Sequence, residues 1–189
     1  ISYFRITNVI IVLYMKIFLI GFMGSGKSTI TILLAKQLNL SVIDLDSMIE
    51  ERAAMSISQI FEERGAKSFR QIEKETLEAL IEVDNAVVAC GGGTPCSEKN
   101  IRFLKDNGTV IYLKTYNNAL LKRLSTPSSK AQRPLLQGLS KTGLAKLISQ
   151  KMRERRRFYE QAHYTVINNS TPQVVVKKIA SRIRDTDLT

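Results

Sequence analysis

Residues 21–28, Gly21-Phe22-Met23-Gly24-Ser25-Gly26-Lys27-Ser28, set glycines, a lysine and a hydroxyl at the spacing of a polyphosphate cradle. Glycines let backbone N–H groups wrap the phosphates, Lys27 reaches the β- and γ-phosphates, and the Ser28 hydroxyl can ligate Mg²⁺. The apolar run Ile17-Phe18-Leu19-Ile20 precedes the cradle, and a helical pattern with Ile30, Leu33, Leu34, Ala35 and Leu38 follows it. The positive end of that helix then points at the anion. A dinucleotide fingerprint is excluded, because Gly24-Ser25-Gly26 runs into Lys27-Ser28-Thr29 and no third glycine arrives.

Two further clusters could serve such a site. Asp44 and Asp46 flank Leu45 at the end of an apolar run. If the strand persisted to Asp46, both carboxylates would project to one face, toward the phosphates. One could then hold the Mg²⁺ water shell while the other orients and activates a hydroxyl nucleophile. An ordinary helix N-cap at Asp46 explains the residue equally simply. Gly91-Gly92-Gly93 after Val87-Val88-Ala89-Cys90 permits close approach of backbone to a ligand, although a tight turn without a ligand has the same composition.

The elements that must carry these residues alternate. Strands are expected at Lys16–Ile20, 41–45, 86–90, 109–113 and Tyr164–Ile167. Helices are expected near 27–39, 46–54, 57–63, 67–83, 98–107, 117–125, 141–161 and 172–184. Short apolar strands between helices specify a parallel sheet covered on both faces, with ligands collecting at the carboxyl ends of the strands. All three chemically loaded segments sit at such ends. Residues 126–140, rich in Pro, Ser and Gly, lack apolar periodicity and read as a mobile lid.

The chain has 189 residues, 44% hydrophobic and 24% charged, enough for one globular domain with a proper core. Cys90 and Cys96 read as reduced cytosolic thiols, and with His163 they offer no metal cluster. His163 itself reads as a surface or packing histidine. The net charge of +11 is concentrated between Lys114 and Arg157, where Glu154 is the lone acid. Such a segment facing a phosphate cradle suits ATP and a small anionic substrate. Aromatic residues are not interleaved among the bases as a nucleic-acid stacking platform requires, so neither nucleic acid nor membrane is expected as a partner. The run Val9–Tyr14 is too short to span a bilayer. Met15 is taken as the natural start, residues 1–14 as a non-native or start-site extension, and residues 15–185 as a single domain.

Taken together and in order, these motifs resemble the shikimate kinase family from Met15 to about Arg184. The matching residues are 21–29, Asp44-Leu45-Asp46, Ser56-Ile57 with Ile60-Phe61, Phe69-Arg70 with Glu73, Gly91–Gly93, Arg133-Pro134-Leu135-Leu136, and Arg155 four residues before Tyr159. The resemblance implies a three-layer α/β P-loop kinase fold with a five-stranded parallel sheet, flanking helices and a lid over about 126–140. It also implies ATP-dependent phosphorylation of the 3-hydroxyl of shikimate, on the route to chorismate and aromatic amino acids, by a cytoplasmic monomer.

Carried over, Lys27, Asp46 and Arg133 are the catalytic candidates. Gly24, Ser25, Gly26, Lys27, Ser28, Thr29, Arg123 and Arg133 would hold ATP. Ser28 and Asp44 would organise Mg²⁺, the expected cofactor. Asp46, Arg70, Gly92, Gly93 and Arg155 would bind shikimate, the two arginines clamping its carboxylate. Glu73, three residues beyond Arg70 on one helical face, would hold it in place. The chain departs from the family at Ala54 (commonly Gly), Ala66 (Glu) and Arg157 (Pro), outside the direct contact set. Two rivals remain: a kinase of another small polyol or acid such as gluconate, and a non-catalytic P-loop protein that merely binds nucleotide.

Overall fold

The computed structural model describes residues 3–6, 9–12, 15–131 and 133–186. Strands β1 (Tyr3–Ile6) and β2 (Val9–Val12) pair antiparallel in a sheet of their own. Their β-branched and aromatic content favours strands; the remaining positions of 1–14 lie outside the described residues.

The main sheet follows from Lys16. Its strands are β3 (Lys16–Ile20), β4 (Ser41–Asp44), β5 (Ala86–Ala89), β6 (Thr109–Lys114) and β7 (Tyr164–Ile167). All neighbours run parallel, in the order β4-β5-β3-β6-β7. The helices between them are α1 (Lys27–Leu38), α2 (Leu45–Ala53), α3 (Ile57–Gln59), α4 (Gly65–Ala79), α5 (Glu98–Asp106), α6 (Asn117–Leu124), α7 (Pro127–Ala131), α8 (Lys141–Tyr159) and α9 (Pro172–Thr186).

Alternation along the central strand sorts the core into two layers, since successive strand side chains face opposite ways. Ile17 and Leu19 join Ile30 and Leu34 of α1 and Val175 and Ile179 of α9. Phe18 and Ile20 join Leu45 and Ile49 of α2, Leu77 of α4, Leu120 of α6 and Tyr159 of α8. Because α1 covers one face and α5 the other, the connections leaving the adjacent strands β3 and β5 diverge, and a crevice opens beyond their carboxyl ends.

The expected strand through Leu45 is cut short. β4 ends at Asp44, which becomes the N-cap of α2, its carboxylate accepting from the backbone N–H groups of Asp46 (3.1 Å) and Ser47 (3.4 Å). The cap is therefore at Asp44 rather than Asp46, and Asp46 sits in the first helical turn. The segment 57–63 also divides: a Ser56–Gln59 capping box opens α3, and a π-helical turn, Ile60–Arg64, follows.

The expected lid has structure of its own, though Gln132 within it lies outside the described residues. Pro127, preorganised for a first helical position, opens α7, and a 3₁₀ turn spans Pro134–Leu136. Fully buried Leu136 ties the segment to the core.

His163 lies at the surface, its Nδ1 accepting from the Val110 N–H at 3.0 Å. Partial burial, with a smaller effect from Lys105, lowers its pKa. Cys90 and Cys96 are both free thiols. Among the described residues no helix is long and apolar enough to cross a membrane.

Ala54 closes α2 at φ +50°, in the left-handed region that disfavours a β-carbon. Ala54→Gly is expected to stabilise the fold by about 0.5–1 kcal/mol, the relief of that strain outweighing glycine's greater unfolded-state freedom. Urea denaturation would read this as a higher midpoint at unchanged slope.

Candidate active site at the strand ends

The loop after β3 builds one side of the crevice. Gly26 caps α1 at φ +91°, a conformation glycine adopts freely, and so brings the helix's unpaired N–H groups to bear on the crevice. Lys27 lies half-buried against its own loop, its Nζ donating to the carbonyls of Gly21 (2.9 Å) and Phe22 (3.1 Å). Burial lowers its pKa to about 8, with Asp46 opposing the shift. A phosphate would thus meet an ammonium that burial has partly stripped of water.

Two distant residues brace the loop from outside. The Asn168 amide, buried just past β7, donates to the Ser25 carbonyl at 2.6 Å. Arg123 of α6 donates to the Gly24 carbonyl at 3.2 Å. Ser25 is itself fully buried, with its hydroxyl enclosed. Its part at the loop is played by backbone. Asp44 faces the cradle with its other oxygen, Oδ2, 3.4 Å from the Ser28 hydroxyl.

A cavity of about 320 Å³ is lined by Gly24, Gly26, Lys27, Ser28, Thr29, Asp44 and Asp46, with Arg133 above. A second, of about 400 Å³, is lined by Asp46, Glu50, Arg70, Gly91–Gly93, Arg133, Leu135 and Arg155. Met23, Asp46, Gly92 and Arg133 belong to both, so the base candidate and the lid arginine stand at the junction of the two spaces.

Burial, reinforced by Asp44, raises the pKa of Asp46 to about 6, while Lys27 pulls it down. The carboxylate is ionised at neutral pH yet basic enough to accept a proton. Gly91 matters here through contact: a β-carbon on it would lie 2.6 Å from Asp46 Oδ1 and 3.0 Å from the Thr94 hydroxyl.

The two arginines predicted to act together converge on the glycine loop. Arg70 Nη1 donates to Glu73 Oε2 at 2.7 Å, and Glu73 is 2% exposed. Arg155 Nη1 donates to the Gly92 carbonyl at 3.1 Å, beneath which the Tyr159 hydroxyl donates at 2.6 Å. Arg155 also lies over the Phe22 ring at 5.6 Å, and Arg70 over Phe69 at 5.2 Å. Arg133, at the lid, donates to the Ser129 carbonyl at 3.0 Å.

Other side chains contribute to which the sequence assigned no role in the site. Glu50 joins the acceptor cavity while accepting from the Ile57 N–H at 2.9 Å. Phe61, in the π turn, stacks on Phe69 with centroids 4.5 Å apart. Tyr159, noted in the sequence four residues after Arg155, lies one helical turn on and shares its face. Of the departures from the family pattern, Arg157 stacks over Phe158 at 4.6 Å and stays outside both cavities.

The family model for shikimate kinase matches residues 23–184. A shikimate kinase of Bacteroides thetaiotaomicron is 39% identical over 149 residues, covering 79% of this chain and 84% of its own. The crystal structure of the shikimate kinase from that organism superposes with a TM-score of 0.85 at 34% identity, over 91% of this chain and 99% of the other. The Acinetobacter baumannii shikimate kinase, solved in complex with shikimate, gives 0.82 at 33% identity, over 92% and 95% of the two chains. With the cradle, the shared parallel sheet and a match running nearly end to end, the chain belongs to the shikimate kinase family.

Proposed function

We propose that this chain transfers the γ-phosphoryl group of ATP to the 3-hydroxyl of shikimate, giving shikimate 3-phosphate and ADP. The observation that carries this reading is the pair of adjoining cavities with Asp46 and Arg133 at their junction, one beside the phosphate cradle and the other ringed by Arg70 and Arg155. Family membership and the shikimate complex of the A. baumannii relative support the choice of acceptor.

In this reading the β- and γ-phosphates draw the Lys27 ammonium from its loop carbonyls, while the first-turn N–H groups of α1 receive the polyphosphate. Arg70 and Arg155 take the acceptor's carboxylate, fixing the ring so that its hydroxyl faces the nucleotide. Asp46 accepts the hydroxyl proton as the bond to phosphorus forms. Arg133 supplies positive charge as the transferring group loosens, and the lid excludes water. Ser28 and Asp44 provide hard oxygen ligands that fit Mg²⁺, which keeps several waters and needs only one or two protein groups besides phosphate. Bound there, Mg²⁺ would neutralise charge on the phosphate oxygens.

A coupled ADP-release assay comparing shikimate, gluconate and nucleoside monophosphates tests the assignment. Turnover confined to shikimate is expected; a preference for either alternative overturns it. The pH profile of kcat/KM for ATP reports groups of the free enzyme. It is expected to fall below about 6 as Asp46 is protonated, and above about 8 as Lys27 loses its proton. A flat profile between pH 5 and 9 would contradict both roles.

A further inference from the structure

Thr94 follows the glycine loop and is fully buried, yet it lines neither the cavity beside the cradle nor the one beside the two arginines. Its hydroxyl donates to Glu73 Oε1 at 2.9 Å, and the other oxygen of that carboxylate, Oε2, receives Arg70 Nη1 at 2.7 Å. The threonine's backbone is fixed as well. Its carbonyl accepts from Asn100 Nδ2 at 2.8 Å and its N–H donates to the Gly91 carbonyl at 3.2 Å.

We propose that Thr94 is a positioning residue for the acceptor: through Glu73 it fixes the direction of the Arg70 guanidinium and so tunes recognition of the acceptor's carboxylate. The inference rests on the shikimate reading above.

The physical argument starts from the buried carboxylate. Glu73 can hold Arg70 firmly only if its own rotation is stopped, and Arg70, bound through one nitrogen, stops only one oxygen. The remaining oxygen lies inside the protein, where an unsatisfied acceptor is costly, and Thr94 satisfies it with a charge-assisted hydrogen bond. The Arg70 side chain is 54% exposed, so solvent would let it wander without that anchor. Gly93 lies against the guanidinium, a β-carbon there falling 3.4 Å from Nη2, so the loop carrying Thr94 also walls the arginine's position. One short segment thus sets the clamp from two sides. The Thr94 hydroxyl also lies beside Asp46, both bordering the empty side of Gly91, but its single proton is given to Glu73. Its effect is therefore on acceptor binding.

The test compares wild type, Thr94→Val and Thr94→Ser with shikimate and with its carboxamide, which keeps the ring and lacks the negative charge. Thr94→Val is nearly isosteric and deletes the donor. It is expected to raise the KM for shikimate about tenfold, the size of one lost hydrogen bond to a charged group. KM for ATP and kcat should stay within twofold. The preference for shikimate over its carboxamide should shrink by a similar factor, and Thr94→Ser should restore it. An unmoved shikimate KM, an equal rise for the carboxamide, a parallel loss of ATP affinity, or no rescue by serine overturns the proposal. Should Thr94→Val lose its fold, Thr94→Ala carries the same expectations; a chain folded in neither form also overturns it. A wild type inactive on shikimate sinks the reading of the whole site, whereas an active wild type with an indifferent Thr94→Val sinks this inference alone.

Discussion

Asp46→Asn is expected to lower kcat with shikimate by about a thousandfold, within the range that positioned proton acceptors contribute. The amide keeps the shape and the contact with Gly91 but cannot take the hydroxyl proton. ATP affinity should change little, because Lys27 and the N–H groups of α1 are untouched. Stability should not fall. Burial holds the carboxyl near 6 instead of its ordinary 3.8, so the folded chain binds this proton more tightly than the unfolded one and the ionised form opposes folding at neutral pH. That shift, already net of the attraction to Lys27, corresponds to roughly 3 kcal/mol; the buried amide still carries part of the desolvation cost, leaving a gain of about 1–2 kcal/mol at pH 7 and none below about pH 4. Single-turnover kinetics and thermal melts at pH 7 and pH 4 check both halves. Undiminished turnover would remove Asp46 from the mechanism, and a large loss of stability would make it a structural residue instead.

The second large effect is expected at Arg70. In the proposed reading Arg70→Ala removes one arm of a carboxylate clamp and should raise the KM for shikimate about a hundredfold, as truncation within desolvated charge pairs costs about 2–5 kcal/mol. KM for ATP should stay within about threefold, because the nucleotide cavity does not include this residue. The variant should also melt lower. Glu73, 2% exposed, loses its cation, and the half-exposed arginine limits that loss to about 1–2 kcal/mol through solvent screening. Calorimetric titration with shikimate separates the terms: weaker binding with intact ATP binding supports the clamp, and unchanged shikimate affinity removes it.

Arg155 differs in kind. Its guanidinium is tied to the Gly92 carbonyl and laid over Phe22, so it is placed by the loops it serves. Arg70 is instead placed by a carboxylate on its own helix.

The sequence by itself determined the phosphate cradle, because its function lies in local backbone: glycines that accept φ above zero, a lysine and a hydroxyl within eight residues, and a helix start directly behind them. It also determined the layered parallel fold, since apolar strands four to six residues long between amphipathic helices have few other ways to be covered. The i,i+3 spacing of Arg70 and Glu73 made their pairing legible for the same local reason. The strand end at Asp44 was not legible. Capping competes with strand extension there, and the free N–H groups of Asp46 and Ser47 decide it.

Only the tertiary structure decided which distant groups complete the site. Asn168 reaches Ser25 across 143 residues of chain, Thr94 reaches Glu73 across 21, and Tyr159 reaches Gly92 across 67. No periodicity encodes such contacts, because each arises where the sheet brings separate strand ends together and a buried polar atom takes the partner within reach. The shifts at Lys27 and Asp46 belong to the same category, since desolvation is a property of the assembled crevice and not of either residue.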